Sequence, residues 1–438
     1  MKINFDTNTQ TVMFICSPNL AIIDNWVSVL ILLRDKLPKA KFIFVIPKKN
    51  LVSEIELGSV LFEFLKDIFD LIIFRSDSNV WMNASTFEQI KVLNRKSHLR
   101  YFSYLIKYLN NLKLQAFSSI ISILYKKLIS IIFKKNIFNI NLISKTKFIT
   151  LFDLQEFKQS YMSELNEIIA SQFNFSIAHE ISIRGINRDS KKKSFQTNKT
   201  IIFSFSDKEV AYYQDIYACN RDQIKVYGVP RHDKNWIKSL LEKENFYENE
   251  KKYIFLISKP IRPVLTKDKK KIYLQYVKTI AKKFNLNIIV KLHPKEKYDK
   301  LFENVFGFNE YNKTWKISIK HPFNLGKHCE FGISLGSGVP IDLLVLGVPT
   351  IQIQDLKGIE QYDNEFSLRD KNGYPVNNLA FMKLVLEAKS LDDIEKHVND
   401  ILSNKDEVVK KLQVEYNNVY KTFENVNEII VKNILDKI

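Results

Sequence analysis

Cysteine is scarce in this chain: there are three, Cys16, Cys219 and Cys329, far apart and never in a C-x-x-C pair. That spacing excludes a disulfide framework and a zinc knuckle, and it fits a reducing cytoplasm. Long apolar runs are missing too, since no window approaches the 18 or more residues of a membrane span. The opening residues "MKINFDTNTQ" lack an apolar h-region, so no secretory signal is expected. Negative charge is the third deficit. Between Glu88 and Asp153 there is no carboxylate at all, while twelve Lys or Arg residues occur. No D-x-D motif appears, so no catalytic metal is expected.

What is present describes a globular soluble protein of 438 residues, 45% hydrophobic and 26% charged, long enough for two domains. The net charge of +18 implies an anionic partner: nucleic acid, an anionic membrane or a phosphorylated substrate. Within the carboxylate-free stretch, "FSSIISILYKKLISIIFKKNIF" alternates apolar blocks with Lys126-Lys127 and Lys134-Lys135. A helix would set these lysine pairs on one side and Ile, Leu and Phe on the other. Two readings follow: a helix lying on an anionic bilayer, or an amphipathic helix packed on its own domain. Nucleic acid is disfavoured, because the basic residues are interleaved with Ile and Leu rather than with base-stacking aromatics.

Apolar runs of five or six residues alternate with helical patterns along the chain, which predicts parallel sheets covered by helices. "TVMFIC", "KFIFVI", "DLIIFRS", "KFITLF", "FNFSIAH", "TIIFSFS" and "IKVYGVP" are expected strands. Residues 91–147 read as a basic helical insertion. A polar run at 241–252 precedes a second series: "YIFLIS", a helix over 268–284, "LNIIVKLHP", "CEFGISLGSG", a short helix and "PTIQIQ". The last 45 residues read as helical throughout. The expected organisation is two α/β domains, 1–245 and 246–438, with a cleft between them. Ligands of such sheets bind outside the carboxyl ends of the strands.

Four strand tips carry unusual polar residues. "FSIAHEIS" ends on His179 and Glu180, and "VYGVPRHD" presents Arg231, His232 and Asp233. "NIIVKLHPKE" delivers His293 and Pro294, with Lys291 expected on the same side as His293. In "GISLGSGVPIDLLVLGVP", Ser334, Gly336, Ser337 and Gly338 precede a helix opened by Pro340. This loop would leave backbone N–H groups open to an anion, with two hydroxyl donors beside them. A serine N-cap with a glycine turn would give the same letters. If the "HP" and serine-loop strands are adjacent, the imidazole lies beside the phosphate site. "GVPRHD" reads either as a turn with Asp233 capping helix 234–243, or with Arg231 lining the cleft.

A strand-end "HP" followed about forty residues later by a serine-rich loop and "D-x-L-x-L-G-x-P" resembles the C-terminal domain of bacterial GT-B glycosyltransferases of surface polysaccharide synthesis. Most similar are the CMP-sugar-dependent sialyltransferases, polysialyltransferases and capsule Kdo transferases; CDP-glycerol glycerophosphotransferases are similar too. The likeness spans about 175–355 as short motifs. The chain departs from it where "HG", or an acidic-acidic-Gly motif, would stand: here the residues are His179-Glu180-Ile181.

The resemblance implies two Rossmann-like domains facing a cleft, the first on the acceptor side and the second binding the donor. It implies an inverting, metal-independent and cofactor-free transfer of a sialic acid or Kdo-like sugar from a CMP-activated donor to a capsular polysaccharide or lipooligosaccharide. A CDP-glycerol or ribitol phosphotransferase is the alternative, and a non-catalytic glycan-assembly partner is the non-enzyme one. His293 would bind the donor phosphate, with Pro294, Lys291, Ser334, Gly336, Ser337, Gly338 and Arg231 around it. Glu180 or His179 would take the acceptor proton. The basic 91–147 stretch would dock the protein, cytoplasmic and peripheral, on the anionic inner face of the cell membrane, near a glycan or glycolipid acceptor.

Overall fold

The computed structural model describes residues 10–16, 20–47, 60–76, 80–97, 106, 108–139, 148–154, 165, 173–178, 199–244, 252–296, 298–357, 359, 368–369 and 372–437. By packing they fall into two compact units. The first comprises the described residues within Met1–His179, Thr197–Phe203 and Asn427–Ile438. The second comprises those within Glu180–Gln196 and Ser204–Val426. This grouping differs from a single division at 245. Residues 204–244 belong with the second unit, where the Arg231 guanidinium is paired to Asp342, and the last helix belongs with the first.

The first sheet is built from β1 (Thr11–Ile15), β2 (Lys41–Ile46), β3 (Leu71–Arg75), β4 (Trp81–Ala84), β5 (Ile149–Phe152), β6 (Phe173–Ile177), β7 (Thr200–Ser204) and β8 (Ile224–Val226). Their order is β4-β3-β2-β1-β5-β6-β7-β8. β1 pairs in parallel with β2 and β5, and only the β3–β4 register is antiparallel among those defined. All five residues of β1 and all four of β5 are buried, as expected of strands covered on both faces.

The second sheet contains β9 (Tyr253–Ile257), β10 (Asn287–Lys291), β11 (Trp315–Ile317), β12 (Phe331–Ser334) and β13 (Thr350–Ile353). A small hairpin, β14 (Leu368–Arg369) and β15 (Pro375–Val376), precedes the last strand, β16 (Leu386–Ala388). The order is β11-β10-β9-β12-β13-β16, with every pair parallel. Numbered within the sheet this is 3-2-1-4-5-6, the doubly wound order whose direction reverses between the first and fourth strands. Alternate residues serve opposite layers. Ile254 and Leu256 of β9 join the core under the Lys267–Lys283 helix, while Tyr253, Phe255 and Ile257 face Leu325 and Leu343.

Every strand expected from an apolar run is present. β4, β11 and β16 were not expected, because each is a short strand at or near a sheet margin and mixes polar with apolar residues. The C-terminal region is not helical throughout. The Leu391–Val419 helix is interrupted at Asn404 (φ −153°, ψ 63°) and ends before the Val426–Leu435 helix begins.

In the basic stretch the described residues include helices Phe87–Ser97 and Gln115–Ile132. The chain after the second is tied back to β4: Asn83 and Phe138 donate backbone N–H groups to Asn136 O and Trp81 O at 2.8 and 3.0 Å. Lys134 and Lys135 lie in the turn beyond the helix rather than on it. Ser118, Tyr125 and Ile129 are buried, whereas Phe117, Ile120, Leu124 and Ile131 are 54–66% exposed. No helix among the described residues is long and apolar enough to cross a membrane.

Candidate functional site

Three strand ends meet at the switch point of the second sheet. The sequence expectation set the "HP" tip and the serine loop on neighbouring strands. The sheet corrects this: β9 lies between β10 and β12, pairing with both. The residues that follow β9, Ser258 and Lys259, therefore occupy the position between His293 and the serine loop.

His293 is half-buried, two residues past β10. Its Nδ1 accepts the Lys295 backbone N–H at 3.0 Å, which places the proton of the neutral ring on Nε2, so that nitrogen is a donor. Pro294 closes the turn that brings Lys295 round. The His293 N–H donates to Glu296 Oε2 at 3.3 Å. Glu296 Oε1 accepts from Ser258 Oγ at 3.0 Å and from Lys270 Nζ. The Lys270 and Glu296 side chains are only 1% and 5% exposed, so two charges that would be costly alone satisfy each other. Lys270 also donates to Lys259 O at 2.9 Å. One buried ion pair thus fixes the tips of β9 and β10 together.

The serine loop is built differently from its sequence expectation. Ser334 is fully buried, and its Oγ accepts the N–H groups of Gly336 (3.2 Å) and Ser337 (3.1 Å). Leu335 N–H goes to Ile257 O, and Ser337 Oγ accepts Val339 N–H at 3.4 Å. The N–H groups expected to be open are largely used by the loop's own hydroxyls, because a serine at a strand end reaches the amides two and three residues on. Gly338 opens the Val339–Val345 helix, and open space lies where its Cβ would be. Gly336 adopts φ +102°; there a Cβ would sit 3.1 Å from Lys259 Nζ, which donates to Gly336 O at 2.6 Å. Sequence reasoning missed Lys259. The signal was a lysine two residues past an apolar strand, "YIFLISK", at the strand whose central place only the sheet order reveals.

Lys291 reaches sideways rather than toward the loop. Its Nζ donates to Ile319 O (3.2 Å) and Lys320 O (2.7 Å), holding the segment that follows β11. Arg231 is buried and makes a two-point pair with Asp342, Nε to Oδ1 at 2.9 Å and a terminal nitrogen to Oδ2 at 3.0 Å. His232 joins them: Nε2 lies 2.8 Å from Asp342 Oδ1, and Nδ1 lies 2.7 Å from the Tyr416 hydroxyl. Burial, and then the Asp342 carboxylate, push the Tyr416 phenol well above its usual range. With Nε2–H given to the Asp342 carboxylate, Nδ1 of the neutral ring accepts from the Tyr416 hydroxyl. "GVPRHD" and the aspartate of "D-x-L-x-L-G-x-P" are thus joined by a buried network. Asp233 caps the Lys234–Lys243 helix, accepting the N–H groups of Asn235 and Trp236. Gly228, at φ +87°, is required because a Cβ would meet Lys421 O at 2.2 Å.

His179 and Glu180 lie outside the described residues. No cluster of metal-ligating side chains occurs among the described ones.

No family model matches the chain, and no curated protein sequence matches it. Solved structures do. A putative UDP-N-acetylglucosamine 2-epimerase from Listeria monocytogenes superposes with a TM-score of 0.55 at 12% identity, covering 97% of this chain and 96% of its own. The UDP-GlcNAc 2-epimerase of Methanocaldococcus jannaschii gives 0.52 at 13%, covering 98% and 99%. The wall teichoic acid polymerase TagF, solved as its H444N variant with CDPG, gives 0.51 at 10%, covering 100% and 90%. The fold is the two-domain α/β fold of GT-B type, with Rossmann-like sheets.

Proposed function

We propose that this protein is an inverting, metal-independent transferase that takes a sugar of the sialic acid or Kdo class from a CMP-activated donor and delivers it to a surface glycan or glycolipid. One observation carries the reading: Lys259, His293 and the Ser337–Gly338 helix entrance converge at the switch point of the second sheet, where a nucleotide phosphate is held in doubly wound folds. His293 Nε2 donates to the donor phosphate, and the Lys259 ammonium and the start of the Val339–Val345 helix offset the charge that grows on the departing nucleotide. Ser334, Gly336 and Pro294 shape the loop and turn around that phosphate. Lys291 positions the segment after β11, and Arg231 positions the helix through Asp342. Glu180 or His179 takes the acceptor proton.

The partner surface is the Gln115–Ile132 helix, which meets the anionic inner face of the cell membrane and brings the protein to a lipid-linked acceptor. Phe117, Ile120, Leu124 and Ile131 form an exposed apolar ridge, with Lys127 beside it and no carboxylate in the stretch.

A second reading, a CDP-glycerol or ribitol phosphotransferase, is favoured by the likeness to TagF. Incubation with CMP-sugars and with CDP-alditols, with and without EDTA, separates the two. The expected outcome is release of CMP, insensitive to EDTA. Release confined to CDP-alditol donors would move the assignment to the second reading, and loss of turnover in EDTA would remove the metal-free mechanism.

A further inference from the structure

A groove of about 590 Å³ lies in the second unit, at the opposite end of the Val339–Val345 helix from the proposed donor site. It runs between the Lys234–Lys243 helix, the end of the Pro322–Lys327 helix and the segment 421–426. Its size falls within the roughly 300–1,000 Å³ of small-ligand sites. Val229, Ile237, Leu241, Leu346, Phe423 and Val426 make its walls, and Phe423 is 43% exposed at its mouth.

The rim is cationic. Lys234, Lys238, Lys327 and Lys421 line it against a single carboxylate, Glu242. Lys421 is paired with Asp207 at 3.1 Å, and Lys238 faces Glu242 at 4.0 Å. Lys234 and Lys327 make no ion pair or hydrogen bond among the described residues. His232 lies in the lining, and both its ring nitrogens are already engaged by Asp342 and Tyr416. The groove therefore offers an apolar trough with two uncommitted ammonium groups at its edge. An uncharged chain would leave those ammonium groups without a counterion, and a small hydrophilic anion would leave the trough unfilled. A neutral sugar has neither feature that the trough and rim demand.

We propose that this groove binds a single-chain lipid with a phosphate monoester headgroup, the alkyl chain against Leu241, Leu346 and Phe423 and the phosphate between Lys234 and Lys327. The site does not depend on the transferase reading, since its occupancy is measurable without turnover. The probe is monododecyl phosphate below its micelle concentration, titrated calorimetrically into the full chain. Dodecyl maltoside and inorganic phosphate serve as the half-ligands. Saturable one-to-one binding of the alkyl phosphate is expected, at least tenfold tighter than either half-ligand. Lys234→Glu with Lys327→Glu, both exposed positions, should weaken it at least tenfold, and so should Leu241→Asn in protein whose melting is unchanged. Lys271→Glu with Lys282→Glu, exposed on the Lys267–Lys283 helix and outside the groove, should leave it unaltered. Equal binding of the maltoside, indifference to the groove substitutions, or no saturable binding would each overturn the assignment, the last being the outcome if the groove instead receives an acidic peptide.

Discussion

Lys259 and His293 come from different strands and reach one place by different supports. The histidine is held by its own turn, with Nδ1 occupied by the Lys295 amide, so the ring presents Nε2–H whatever the ligand. The lysine is held by the carbonyl of Gly336, a contact that exists because glycine leaves space beside the ammonium. On the proposed function, replacing either removes a donor to the donor phosphate without opening a cavity in the sheet. His293→Ala should lower kcat roughly 10²–10³-fold, in the range of losing one oriented donor to a developing negative charge, with an unchanged melting temperature. Lys259→Ala should weaken nucleotide binding by tenfold or more in equilibrium titration. Near-normal values for both would place the phosphate elsewhere. The "HP" stood out in the sequence because a histidine and a proline end an apolar strand together, with a serine-glycine loop at a later strand tip. Lys259 did not stand out, since a lysine two residues past an apolar strand gains its meaning only from the sheet order.

At the scale of elements, the Gln115–Ile132 helix has the amphipathicity expected of it, but distributed otherwise. Nine of the 22 exposed large apolar side chains among the described residues fall between 108 and 132, so the concentration belongs to this segment rather than to the surface at large. A narrow face with Ser118, Tyr125 and Ile129 packs inward, and the ridge at i, i+3, i+7 and i+14 from Phe117 does not. One face is packed on its own domain, and another is open, which is what the docking proposal requires. Each lysine near an anionic surface contributes about 1 kcal/mol, so neutralising four costs roughly three decades of partitioning. Substituting Lys126, Lys127, Lys134 and Lys135 with Glu should release the protein from phosphatidylserine-containing vesicles in sedimentation. Undiminished binding would refute docking through this helix. The serine loop teaches a similar lesson: its letters suit an anion site and a self-capped turn alike, and the backbone N–H groups went mostly to the turn.

At the scale of the whole molecule, a ligand that binds only the folded chain raises its stability by about 2.7 kcal/mol at a hundred times Kd. Melting the protein against CMP, CDP, UDP and GDP should therefore rank the nucleotides without an acceptor. The cytidine nucleotides are expected to raise the melting temperature most. A larger rise with UDP would discard the cytidine assignment, in keeping with the UDP-sugar epimerases that share the fold.

The alternation of apolar strands with helices was determined by the sequence alone, because a strand buried on both faces must be apolar throughout and its helices amphipathic. So were the Asp233 cap and the polar tips, which depend on neighbours within a few residues. The tertiary structure decided the rest. Strand order put β9 between β10 and β12, and Arg231 found Asp342 across 111 positions. Pairing over such distances is settled by which faces can be buried together, a property of the assembled sheet that no stretch of residues contains by itself.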